Sequence, residues 1–170
     1  IISIFCLLTL SCASTKNETL MTPQYTVVKT IENIEIRDYK ESTNASYYSK
    51  ENKNNENFRN LAAYIFGENS ENKSIQMTSP VTMKLYGNKE MSFRMPEEYS
   101  LENLPKADNP LIVFFKEPSC KKAAISYKGY SNNKIEQKKI TELKQILLEN
   151  NIQHTNEFEV LVYQSPYKIL

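Results

Sequence analysis

Four of the five methionines in this 170-residue chain fall between Ile75 and Tyr99, in the stretch IQMTSPVTMKLYGNKEMSFRMPEEY. Met77, Ser79, Val81, Met83 and Leu85 share one face of a period-two pattern, and Thr78, Pro80, Thr82, Lys84 and Tyr86 share the other. Gly87-Asn88 then leads into Met91, Phe93 and Met95, alternating with Ser92 and Arg94. Alternation on both sides of a glycine turn predicts a β-hairpin over Ile75–Tyr99. Thioether side chains are flexible and polarisable, so a methionine-rich face adapts to irregular apolar shapes. That face is either a core layer or the floor of a pocket for a flat apolar ligand.

The other residue types that do chemistry are sparse. His154 is the only histidine and sits in the polar context QHTN, which reads as surface. A Ser-His-acid constellation would have to be built on it. No HExxH, CxxC or other metal-ligand spacing occurs. The carboxylate pairs Glu35 with Asp38 and Glu97 with Glu98 read as solvated strand or loop positions. Cys120 follows Pro118-Ser119 in an expected turn with no histidine near it in sequence, and reads as incidental. The expectation is a binding protein without a catalytic constellation. A net charge of +1 without a basic block argues against nucleic acid, and the three glycines form no phosphate-binding loop.

At the start, the apolar run Ile1–Leu10 is too short to span a bilayer as a helix and fits the hydrophobic and cleavage regions of a secretory signal. Leu8-Thr9-Leu10-Ser11-Cys12 resembles a bacterial lipobox, in which the cysteine becomes the lipidated first residue. Residues 1–12 are therefore expected to be a signal peptide with Cys12 as lipidation site, and residues 13–24 a polar tether. The protein would be exported and held on the periplasmic or outer-membrane face by a lipid anchor, or else secreted. Initiating Met and a basic leader are absent from the sequence, so the chain is expected to begin upstream. With Cys6 and Cys12 assigned to the signal, Cys120 is left without a disulfide partner, and the core must hold the fold unaided.

The elements that position these residues follow from periodicity. Tyr25 to Ile31 alternates as a strand, Glu32-Asn33 turns the chain, and IEIRDYKE opens a second strand that extends toward Tyr48. Phe58, Leu61, Ala62 and Ile65 mark one face of an amphipathic helix that Gly67 stops. After the hairpin, MPEEYSLENLPKADNP is a linker. LIVFFKEP and KKAAISYKGY read as two strands, with Pro118 ending the first. Asn133 with Glu136 opens a second helix through a capping box, with Ile140, Leu143, Ile146 and Leu147 on its apolar face and Asn150-Asn151 at its end. FEVLVYQ is a last strand. The order is an internal repeat of a strand-strand-helix-strand-strand unit. The second copy lacks a counterpart of Met91–Met95, so the chain is expected to continue past Leu170. The predicted class is α+β: two pseudo-symmetric ββαββ halves forming a twisted antiparallel sheet or distorted barrel with two helices.

Together, NFRNLAAYIFGEN, MTSPVTM, MSFRMPEEY with ENLPKADNP, the KGY before the second helix and the late YQSPY resemble the SOUL family of haem-binding proteins, over residues 25–170. The resemblance implies a pseudo-twofold fold shared with bacterial effector-binding domains. It also implies haem or a related tetrapyrrole in an apolar cleft beside the first helix, with no reaction catalysed. Apolar walls would come from Phe58, Leu61, Ala62 and Ile65 with Met77, Val81 and Met83. Arg59 and Lys168, at positions where relatives carry basic residues, would meet the propionates. The ligand histidine of some members has no counterpart among Ile34 to Tyr48. His154 is a weak candidate, Met77, Met83 or a tyrosine are others, and some members hold haem through pocket contacts alone. Family members continue beyond the proline element into an arginine-rich strand, and this sequence departs from them there. Two alternatives stay open: another planar apolar small molecule as ligand, or a small-molecule hydrolase of the same fold.

Overall fold

A computed structural model describes residues 24–49 and 54–163. The elements are β1 (Tyr25–Ile31), β2 (Ile34–Tyr39), β3 (Ser42–Tyr47), α1 (Asn54–Ile65), β4 (Val81–Lys84), β5 (Met91–Arg94), β6 (Val113–Glu117), β7 (Cys120–Ile125), α2 (Asn133–Glu149) and β8 (Glu159–Val162). The α+β class stands. The strands form two antiparallel sheets, β1-β2-β7 and β6-β3-β5-β4-β8, which do not close into a barrel among the described residues.

The organising feature is a pair of long broken strands. β2 and β3 are separated by Lys40 and Glu41, and β6 and β7 by Pro118 and Ser119. The two run antiparallel in one register across both sheets: Ile34 faces Ile125, Tyr39 faces Cys120, Ser42 faces Glu117 and Ser46 faces Val113. Pro118 therefore interrupts a strand instead of ending one, because a residue without an N–H is tolerated at an irregularity in the ladder. Cys120 begins β7 and lies outside any turn, correcting the expected position.

This pairing also revises the repeat. Val113 lies 79 positions after Ile34 (113 − 34), and Asn133 lies 79 after Asn54 (133 − 54), so the same offset relates the long strands and the helices. It carries β4 to within one residue of β8, and β4 and β8 pair with each other antiparallel. The repeated unit is a broken strand, a helix and a strand. β1 stands outside it, an edge strand joined to β2 through Glu32-Asn33, with Glu32 at φ 51. The register of β1 slips between Val27 and Lys29, a bulge of the kind that keeps an edge from pairing further.

Each helix covers its own core. Leu61, Tyr64 and Ile65 of α1 pack on Ala45, Tyr47, Val81, Met91, Phe93 and Met95. Leu143, Ile146 and Leu147 of α2 pack on Ile31 and Ile34, with Ile36, Ala123 and Ile125 beside them. Ile36 and Ala45 are an odd number of positions apart and would point to opposite faces of a regular strand. The break at Lys40–Glu41 resets the alternation by one residue. Tyr39 and Ser42 consequently line one small cavity on the side away from both cores.

Local boundaries follow local chemistry. α1 begins at Asn54, one turn before the first apolar residue. It stops at Gly67, whose φ of 119 suits only glycine, while Glu68 N–H returns to the Ala63 carbonyl at 3.0 Å. The cap of α2 is Asn132, whose side chain accepts from Ile135 N–H at 3.0 Å. Glu136 instead accepts from the Ser131 hydroxyl at 2.8 Å, so the expected capping box is displaced by one residue. The hairpin strands are shorter than their pattern: Met77 and Ser79 precede β4, and Leu85 to Glu90 form the connection.

Candidate functional site

Helical geometry divides α1 into three strips. Asn57, Leu61, Tyr64 and Ile65 point inward and are buried. Phe58 and Ala62, four residues apart, flank that strip on the side where Phe58 meets Phe93, and both are partly buried against the core. Phe66 continues the row past the helix end at 71% exposed. The opposite flank is closed: Tyr64 donates through its hydroxyl to the Pro105 carbonyl at 3.0 Å, and Asn60 accepts from Asn109 at 2.9 Å.

The open flank faces the β4–β8 pair. Val81 stands opposite Val162 and Met83 opposite Val160, and directly opposed residues share a face of a sheet. Val81, Met83 and Val162 all contact the α1 core, so this face turns toward the helix. Phe58 and Ala62 from the helix, and Met83 and Val162 from the strands, are the partly buried side chains at this edge of the core, and the candidate groove is the margin between them, with Val160 opposite Met83 and Phe66 exposed past the helix end. Val160, Val162 and Phe66 escape the sequence reading. The strand FEVLVYQ is legible, but that it lies beside β4 is a long-range fact.

The expected site residues are distributed unevenly around this groove. Phe58, Ala62 and Met83 lie together at it. Leu61 and Ile65 are 0% and 1% exposed, so they back the wall from inside the core. Met77, 41% exposed, lies in the segment that runs from Ile75, whose N–H bonds the Ile65 carbonyl at the end of α1. Arg59 is exposed on the outward strip of the helix, next to Phe58. Lys168 and Cys12 lie outside the described residues. His154 is exposed, accepts from Asn156 N–H at 3.0 Å, and meets the ring of Phe158, which packs on the α2 core. It belongs to the other half of the molecule.

The chemistry available at the groove is apolar contact with a cation nearby. Burial raises the Tyr64 phenol to about 12, and burial with the neighbouring Glu56 raises Tyr47. Both phenols lie inside the α1 core cluster, not at its edge. Among the described residues no group of three His, Cys, Asp or Glu converges on a point. The soft donor packed at this edge of the core is the thioether of Met83. These residues fit a flat, largely apolar group with an anionic edge.

A search of curated proteins finds none that matches the chain. A family model described as SOUL heme-binding protein matches residues 20–170. That match takes in every described element of the fold, from β1 to β8, and the chain belongs to the SOUL haem-binding family.

Proposed function

We propose that the chain binds haem or a closely related tetrapyrrole in the groove between α1 and the β4–β8 pair, and that it carries the ligand without transforming it. The observation that supports this position is the packing of the partly buried Phe58, Ala62 and Met83 at the edge of one core cluster, with Phe66 exposed just past the helix end. A planar macrocycle gains most of its affinity from such contacts, with polar groups fixing its orientation. Arg59, and Lys168 beyond the described residues, are the proposed propionate partners. Iron ligation by histidine has no support here, and a thioether or no protein ligand at all is the reading adopted. When bound, the group supplies only its own redox and ligand chemistry.

Titration of haemin into the purified protein tests the proposal. A saturable Soret change at micromolar protein is expected, and metal-free protoporphyrin IX should bind with comparable affinity if the iron is not ligated. No saturable change for either would overturn the reading. Mass spectrometry of material co-purifying from the native host separates a tetrapyrrole from another planar apolar ligand.

The proposal extends to location. The apolar run Ile1–Leu10 followed by LTLSC supports export and lipid anchoring through Cys12. The intact mass of the mature protein checks it: an unmodified Cys12, or retained upstream residues, would refute anchoring.

A further inference from the structure

A second site lies where the two halves meet. The reset at Lys40–Glu41 brings residues from both long strands and from β4, β5 and β8 around a cavity of about 30 Å³. That is room for one or two water-sized groups. Its charged lining is Lys40, Arg94 and Lys122 against the single carboxylate of Glu117. Lys122 is already committed, with Nζ 2.9 Å from Glu117 Oε1 and 2.6 Å from Glu159 Oε1. Lys122 is thus shared between two carboxylates, and with Glu159 counted beside the lining residues Lys40, Arg94, Lys122 and Glu117 the balance is +1.

Arg94 is different. Its guanidinium carries five donors, yet among the described residues its one side-chain hydrogen bond runs from Nη2 to the Glu41 carbonyl at 3.5 Å, the limit of such a bond. No carboxylate is ion-paired to it among the described residues; Glu97 and Glu117 act on it only through space. Burial lowers its pKa from the usual arginine range, which measures the cost of holding this charge away from water. Beside it, directly across the ladder, stands Asn44, whose amide is turned to Ser42, and the Thr82 hydroxyl completes the polar lining. A half-buried guanidinium without an ion-pair partner, facing a small cavity with surplus positive charge, is an arrangement that an anion completes.

We propose that this cavity is a binding site for a small monovalent anion, of chloride or formate size, held by Arg94 with the Thr82 hydroxyl. It is separate from the α1 groove and does not depend on the haem reading. Because its walls come from both halves of the repeat, the occupant ties them together and stabilises the fold.

Thermal unfolding of the full chain in sodium gluconate, with chloride, bromide or formate substituted at constant ionic strength, tests the site. A saturable rise in Tm is expected for the small anions, and the ion that saturates lowest identifies the preferred class. Arg94→Gln should weaken the effect about tenfold or more, and Arg94→Lys less. A rise equal for all salts, or kept in Arg94→Gln, would overturn the proposal. Should the variants fold poorly, anomalous diffraction from wild-type crystals grown in bromide decides. A peak beside the Arg94 guanidinium supports the site, and its absence at high bromide refutes it.

Discussion

Phe58 of α1 and Phe93 of β5 meet edge to face, their ring centroids 5.3 Å apart and their planes inclined at 61°. The two rings have unequal surroundings. Phe93 is 3% exposed in the middle of the α1 core, whereas Phe58 stands at its margin, on the groove wall. Phe93→Ala should cost about 3–5 kcal/mol of stability and Phe58→Ala about half of that. Haemin affinity should order the other way, with Phe58→Ala losing most of it at concentrations where the variant remains folded. Urea unfolding and Soret titration on the same samples check the pair.

Met77 is a proposed ligand contact that lies outside the core. At 41% exposed and outside β4, it can take a charge without being forced into the core. Met77→Glu is expected to shift stability by no more than about 0.5 kcal/mol. It should weaken haemin binding by about tenfold, through lost apolar contact and repulsion of the propionates. Unchanged affinity would remove Met77 from the site.

Asn69 fastens the segment that follows α1. It is 1% exposed, donates through Nδ2 to the carbonyls of Tyr64 at 3.0 Å and Lys73 at 2.8 Å, and accepts at Oδ1 from the N–H groups of Glu71 and Lys73. Asn69→Ala leaves buried backbone groups unpaired and should cost about 2–4 kcal/mol. Limited trypsinolysis should then cut at Lys73 well before the rest of the domain. Equal cleavage rates in both proteins would show that the loop is held by something else.

Alkaline stability follows from two phenols and one amine. Burial raises Tyr64 to about 12; it also raises Tyr163, with the Tyr39 hydroxyl as a second cause. Lys122, between its two glutamates, is raised as well: burial opposes the shift, and the carboxylates outweigh it. In each case the unfolded chain loses its proton first, near pH 10. The stabilisation is complete below that pH and disappears as pH rises through the folded-state values. Unfolding midpoints should therefore be flat up to about pH 9 and fall steeply beyond pH 10. Tyr64→Phe should soften the fall, and tyrosinate absorbance should rise together with loss of helix signal.

His154 offers a control on ligation. It lies beside Phe158 on the α2 half, so His154→Ala should leave both the position and the intensity of the haemin Soret band unchanged. A shifted band would place the histidine on the iron.

The sequence was most readable where one face of a single element determines burial. Leu61 and Ile65 announced the inward strip of α1, and Met91, Phe93 and Met95, each under 5% exposed, are core as the alternation required. The repeat was visible, but its frame was not. Pro118-Ser119 looks like a turn between two strands, and only pairing with β2 and β3 reveals one strand with an interruption. The same limit applies to the groove. Phe58, Ala62 and Met83 are identifiable from local pattern and family motifs, whereas Val160 and Val162 reach them through a ladder between residues nearly eighty positions apart. Arg94 carried no sequence signal at all, since a strand arginine alternating with apolar residues ordinarily faces water.

The paired interruptions make chain length near them a coupled quantity. One residue removed at Lys40–Glu41 alone would restore strict alternation, leaving Ile36 and Ala45 on the same side, but it would move β3 one position along β6 while β2 kept its register on β7. The shift would put the partner strand's side chains on the wrong face in one of the two sheets. Single insertions and deletions at either interruption should therefore be lethal to folding, and matched changes in both should be tolerated. The two halves are free to diverge in side chains, yet bound to a common count.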